Sequence, residues 1–190
     1  MKIVVGITGA SGAIYGVRLL EALKNLNIES HLIISEWSEK TLAIETDYTL
    51  DDVKQLATHC YHIDNQAAII SSGSFITDGM IIAPCSMKTL AAISHGYSDN
   101  LISRAADVTL KERRRLVLIP REAPLNQIHL ENMLRLNKMG ATILPPMPQF
   151  YNNPKTIDDV INHTVSRALD QLAIENSLTQ RWLERRDENE

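Results

Sequence analysis

The first apolar residues of the chain, Ile3, Val4, Val5 and Ile7, stand in one short run, which Gly9 to Gly12 then interrupt. From Ile14 onward the period changes. Val17, Leu20, Leu23 and Leu26 recur every third position, as one face of a helix requires. The opening therefore predicts a strand, a tight glycine-rich turn and a helix. Four more short runs, His31 to Ile34, Gly79 to Ala83, Leu116 to Ile119 and Ala141 to Leu144, are separated by stretches of helical spacing. Strands that alternate with helices predict a parallel sheet covered on both faces. The expected fold is α/β, a single-domain three-layer doubly wound parallel sheet of the Rossmann or flavodoxin-like kind. Thr49 with Asp52 and Thr156 with Asp159 fit capping boxes, and Gly96 and Gly140 stand where helices should stop. The pattern breaks after Ile174, and Leu178 to Glu190 is more charged. Residues 1–175 are thus expected to form the α/β domain, and residues 176–190 a helical arm that packs on a neighbouring copy.

Composition narrows the function classes. With 190 residues and 44% hydrophobic content, the chain can bury one full core. Its 19 basic and 23 acidic side chains are scattered and sum to a net charge of -4, which argues against nucleic acid or an anionic membrane as partner. No apolar run reaches the roughly 18 residues of a membrane span, and Met1 leads straight into a strand, so the expected location is the cytoplasm. Cys60 and Cys85 have no CxxC spacing, which favours reduced thiols over a disulfide framework or a zinc site.

Ligands of open α/β sheets bind beyond the carboxyl ends of the strands, so the residues after each run carry the candidate chemistry. The first loop, Gly6-Ile7-Thr8-Gly9-Ala10-Ser11-Gly12, is a phosphate-sized anion site at a helix N-terminus. It matches neither the G-x-G-x-x-G fingerprint nor a P-loop, and such a turn is as often a structural necessity as a ligand cradle. Ser35 follows the second run, and Pro84-Cys85-Ser86-Met87-Lys88-Thr89 the third. Each hydroxyl alone reads as an N-cap; Ser11, Ser35, Ser86 and Thr89 together favour a phosphorylated ligand. Cys85 reads as a buried inert thiol. Pro120-Arg121-Glu122-Ala123-Pro124 frames a phosphate-binding cation beside a proton-handling carboxylate, with a structural salt bridge as the alternative. Lys111 and Arg113 to Arg115 form a charge run of which at most one is functional, and Tyr151 follows the fifth run either as a site hydroxyl or as a packing residue.

The segments GITGASGAIYGVRLL, IETD, SSGSF, PCSMKTL, RAADVTLKERR, LVLIPREAPLNQIHLENMLRL and FYNNP, in this order, resemble the UbiX-like flavin prenyltransferase family from Lys2 to about Trp182. The resemblance implies that Gly9, Ala10, Ser11, Ser35, Ser86, Met87, Lys88, Thr89 and Arg121 hold reduced flavin mononucleotide (FMN), the acceptor substrate. It implies that Lys111, Arg121, Tyr151 and Arg167 gather round the phosphate of dimethylallyl monophosphate, with Arg104 in the same network and Trp182 near it. Glu45 and Glu122 are the implied acid-base carboxylates, Ser11 would position flavin N5, and no metal is implied. The implied product is FMN prenylated at N5 and C6, delivered to a UbiD-like decarboxylase, with ubiquinone synthesis and phenolic-acid breakdown both open as the pathway. Family members form homo-oligomers, usually dodecamers, with active sites where subunits meet. Two other functions stay open at this point: direct decarboxylation of an aromatic acid, and passive flavin carriage.

Overall fold

The structure is a computed structural model that describes residues 1–182. Six parallel strands lie in the order β3-β2-β1-β4-β5-β6. The central strand β1 (Lys2–Ile7) pairs with β2 (Glu29–Ile34) on one side and β4 (Gly79–Cys85) on the other. Beyond β2 lies β3 (His59–Tyr61), and beyond β4 lie β5 (Arg115–Pro120) and β6 (Thr142–Ile143). The chain thus winds outward from β1 to β3, returns to the centre, and winds the other way, so the loops after β1 and β4 part and open a crevice between them. The helices are α1 (Ala13–Asn25), α2 (Glu36–Glu45), α3 (Leu50–Leu56), α4 (Met87–Ser94), α5 (Leu101–Lys111), α6 (Gln127–Lys138) and α7 (Ile157–Gln171). All five expected strands are present. The sixth, β3, reads His-Cys-Tyr, and without an apolar run it leaves no periodic signal in the sequence.

Alternation along the strands divides the core between the two faces. Ile3, Val5 and Ile7 point to the face covered by Val17, Leu20 and Leu23 of α1 and Val165 and Leu169 of α7. Val4, Met80 and Ile82 point to the other, against Leu90 of α4, Ile102 of α5 and Leu136 of α6. Each such buried aliphatic side chain stabilises the fold by about 1.5–3 kcal/mol relative to exposure. Gly16 lets α1 approach the sheet, since a Cβ there would lie 2.5 Å from the Ala83 carbonyl oxygen. The capping boxes Thr49/Asp52 and Thr156/Asp159 form, and two more at Asn100/Ser103 and Asn126/His129 accompany them. Gly96 and Gly140 follow α4 and α6 at φ 68 and 98, the left-handed conformation that ends helices.

The expected arm is described only as far as Trp182, and Asn176 to Trp182 is not helical. It lies along α7, where Arg181 donates to Asp170 at 2.9 Å; residues 183–190 fall outside the described residues. No described helix is long and apolar enough to cross a membrane.

Candidate active site

Before β1 and β4 diverge, their carboxyl ends are tied together by a buried threonine. Thr8 donates its hydroxyl to the Pro84 carbonyl at 2.8 Å and accepts the Ser86 amide at 2.7 Å. This bridge fixes the glycine loop against the turn that opens α4. Ser35 accepts the Ser38 amide and Ser86 the Thr89 amide, both at 3.3 Å, so the two serines are indeed N-caps of α2 and α4. Capping and ligand binding are compatible here, because the N-terminal residues of α2, α4 and α5 line one opening, and each helix start carries positive potential. Between them lies a cleft of about 600 Å³, lined among others by Thr8, Gly9, Ser35, Ser86, Lys88 and Thr89. Ala10, Ser11 and Met87 sit beside it without lining it.

Trp37, for which the sequence suggests no role, is a wall of this cleft. A Cβ on Gly9 would lie 2.5 Å from Trp37 Cβ, so the glycine admits the tryptophan, a residue that is 68% exposed. Only the β1-to-β2 crossover brings them together.

Glu45 corrects one expectation. At the end of α2, its Oε2 accepts the Gly12 amide at 2.7 Å and the Ala13 amide at 3.2 Å. Gly12 caps α1 at φ 100 without a side chain, and the Glu45 carboxylate takes that place. The first loop is therefore not an open phosphate cradle: a carboxylate already sits on its amides, one residue from Ser11. Ser35, Ser86 and Thr89 are left as the anion donors of the mouth.

Arg121 and Glu122 are exposed on the loop after β5, where the Arg121 amide donates to the Cys85 carbonyl at 3.3 Å. Burial raises the Tyr15 phenol above its ordinary range, and the Arg121 charge partly offsets this. Burial pushes the Cys85 thiol far up, so it is inert, as expected.

The other implied residues form two separate groups. On α5, Arg104 donates to the Ser71 carbonyl at 3.2 Å and to Asp107 at 2.9 Å, and Lys111 pairs with Glu112. Ile102 lines the cleft, whereas Lys111 is nine residues further along α5, about 14 Å at 1.5 Å per residue. On the flank of α7, Tyr151, His163, Arg167 and Trp182 line a hollow of about 260 Å³. The Tyr151 hydroxyl lies 2.8 Å from His163 Nε2, and its ring meets Trp182 edge to face at 5.1 Å between centroids. One copy of the chain thus carries the implied phosphate ligands on three elements: α5, the loop after β5 and the flank of α7. Away from all of them, Glu29, His31 and His59 bring three metal-ligand atoms within 4.8 Å of one another, a cluster with no sequence motif.

The Flavoprotein family model matches residues 1–169. A probable UbiX-like flavin prenyltransferase of Bacillus subtilis (strain 168) is 60% identical over 182 residues, which cover 96% of this chain and 89% of the relative. The chain belongs to the UbiX-like flavin prenyltransferase family. As a flavin prenyltransferase it is a transferase, and its doubly wound sheet is that of solved relatives. A dodecameric FMN-dependent UbiX-like decarboxylase from Escherichia coli O157:H7 superposes with a TM-score of 0.94 at 56% identity, over 96% of this chain and 99% of that one. AnUbiX, solved in complex with FMN and dimethylallyl pyrophosphate, also has a TM-score of 0.94, at 52% identity over 95% and 96% of the two chains.

Proposed function

We propose that this flavin prenyltransferase joins the dimethylallyl group of dimethylallyl monophosphate to N5 and C6 of reduced FMN, for use by a UbiD-like decarboxylase. The observation that carries it is the mouth itself: hydroxyls and helix N-termini for a phosphate, and beside them the flat apolar face of Trp37. Such a cleft fits a planar ring with an anionic tail, and the AnUbiX complex holds FMN together with an allylic diphosphate. Gly9, Ala10, Ser35, Ser86, Met87, Lys88, Thr89 and Arg121 would hold FMN, which when bound in reduced form supplies the nucleophilic N5 and C6.

An allylic phosphate departs as an anion, so Arg104, Lys111, Arg121 and Arg167 would act by stabilising charge that grows as the bond breaks. Glu122 would protonate the departing phosphate, Tyr151 would hold it, and Glu45, next to Ser11, would take up the remaining proton. Trp182 and Trp37 would keep water from the allyl fragment. Because Lys111 lies about 14 Å along α5 from the Ile102 that lines the cleft, the complete site is proposed to form between copies, in a cytoplasmic homo-oligomer that is a dodecamer like the Escherichia coli relative. Residues 176–190 would be the arm that reaches a neighbour.

The test is mass spectrometry of flavin extracted after anaerobic incubation with reduced FMN and either dimethylallyl monophosphate or diphosphate. A gain of one prenyl unit with the monophosphate is expected, and unmodified flavin with both donors overturns it. That Escherichia coli relative is described as a decarboxylase, which favours a second reading, direct decarboxylation. Release of carbon dioxide from an aromatic acid by this chain alone would establish that reading.

A further inference from the structure

We infer that Glu29, His31 and His59 form a divalent transition-metal site, of the zinc class, that fastens the edge strand β3 to β2. Strand geometry assembles it. Glu29 and His31 are two residues apart on β2 and so face the same side, and the parallel register sets His59 of β3 directly beside His31. Glu29 Oε1 lies 3.1 Å from His31 Nε2 and 3.5 Å from His59 Nε2. Donors bound at about 2.0–2.2 Å to one tetrahedral ion stand about 3.4 Å from each other, so both contacts already have the spacing of a shared metal. The two rings stack at 4.8 Å between centroids, and rotation of the half-exposed His59 closes the remaining distance.

The surroundings favour a metal over a simple hydrogen bond. Tyr61 stands with its hydroxyl 2.9 Å from His31 Nδ1, which orients the fully buried ring with Nε2 toward the carboxylate, as outer partners of metal-bound histidines do. Phase is set further by Phe75, whose ring meets His31 edge to face at 5.2 Å. A Glu29–His31 bond accounts for two of the three groups, and His59, its side chain 48% exposed, turns Nε2 toward the same oxygen as a third. Lys2 Nζ lies 3.7 Å from that oxygen and 4.8 Å over the Phe75 ring, a partly exposed cation that a bound ion would displace from the carboxylate. Two imidazoles and one carboxylate suit zinc, nickel or copper rather than calcium or magnesium, with the fourth position left to water. The cluster is in the amino-terminal part of β2 and β3, whereas the mouth is beyond the carboxyl ends, so this site is independent of the proposed reaction.

The experiment is calorimetric titration of zinc into chelator-treated full-length protein, with cobalt as an optical probe. One zinc per chain is expected, with affinity lowered about tenfold or more in His59→Ala. Zinc at a hundred times its Kd should raise Tm by about 5 °C in the parent protein and not in that variant. His59 is chosen because it is half exposed, whereas the buried His31 is part of the packing. Cobalt should show tetrahedral bands without a thiolate charge-transfer band, and Cys60→Ser should bind as the parent does. Absence of stoichiometric zinc binding, equal affinity in His59→Ala, or a thiolate band that Cys60→Ser abolishes would each overturn the site.

Discussion

Gly12 caps α1 with no side chain of its own, and the carboxylate of Glu45 supplies the missing acceptor from another helix. The same group is the proposed base, so its removal acts on both stability and chemistry. Glu45→Ala should destabilise the fold by up to about 1 kcal/mol, read from the midpoint of a urea titration, and abolish most prenylation. Glu45→Gln keeps an acceptor oxygen and should restore the stability but not the activity. Among the described residues Glu122 makes only a local bond, from the Ala123 amide at 3.1 Å, so Glu122→Gln should leave stability unchanged. Its prenylation rate should fall about a hundredfold, as loss of a general acid does, and an unchanged rate would remove Glu122 from the mechanism. At Gly16 the constraint is packing alone: Gly16→Ala pushes α1 off the Ala83 carbonyl and should cost about 1–3 kcal/mol in the same urea titration.

Single elements are held by their ends as much as by their faces. The box at Thr156 and Asp159 starts α7, the helix that carries His163 and Arg167, and Thr156→Ala should lower stability by about 1 kcal/mol in thermal unfolding. At the other end, Asp170 joins α7 to the following stretch through Arg181 and to Arg167 at 2.8 Å. Burial by itself would raise this carboxyl, but the hydrogen bonds and charges of Arg181 and Arg167 outweigh it and hold the carboxyl below the usual aspartate range. A depressed carboxyl stabilises the fold at every pH above its unfolded value, about 3.9, and the contribution disappears as pH falls through the lower folded value. The fall of Tm with acid should accordingly be shallower below pH 4 in Asp170→Asn than in the parent, and parallel curves would show that the pair contributes nothing. The boxes at Thr49 and Thr156 were legible as sequence because cap and acidic partner are three residues apart, whereas the Asp170 contact to Arg181 crosses a helix end and has no local signature.

For the molecule as a whole, the spread of the implied phosphate ligands over α5, the loop after β5 and the flank of α7 is the main fact. Exposed apolar side chains accompany them, among them Ile128, Leu130 and Leu134 on α6 and Phe150 beside Tyr151. Their burial between copies would supply the association energy of the proposed oligomer. If the site forms between copies, mixing unfolded Lys111→Ala and Tyr151→Phe chains and refolding them together should regain part of the prenylation that each lacks alone. Mixed oligomers with no regained activity would place Lys111 and Tyr151 in the same copy's contribution to each site.

Five of the six strands, the capping boxes at Thr49 and Thr156 and the glycine stops were determined by the sequence alone, because each depends on residues within one or two turns of each other. The hydroxyls of the mouth were equally legible, since the doubly wound winding sends the end of every strand to the same side. What only the tertiary structure decided is which groups meet across crossovers: Glu45 on the amides of α1, Trp37 over Gly9, and His59 beside Glu29 and His31. It also decided that Lys111 stands well along α5 from the cleft and that Tyr151 and Arg167 share a hollow on the flank of α7. Those distances depend on strand register and helix packing, which are set by the summed burial of the whole core rather than by any local run of residues.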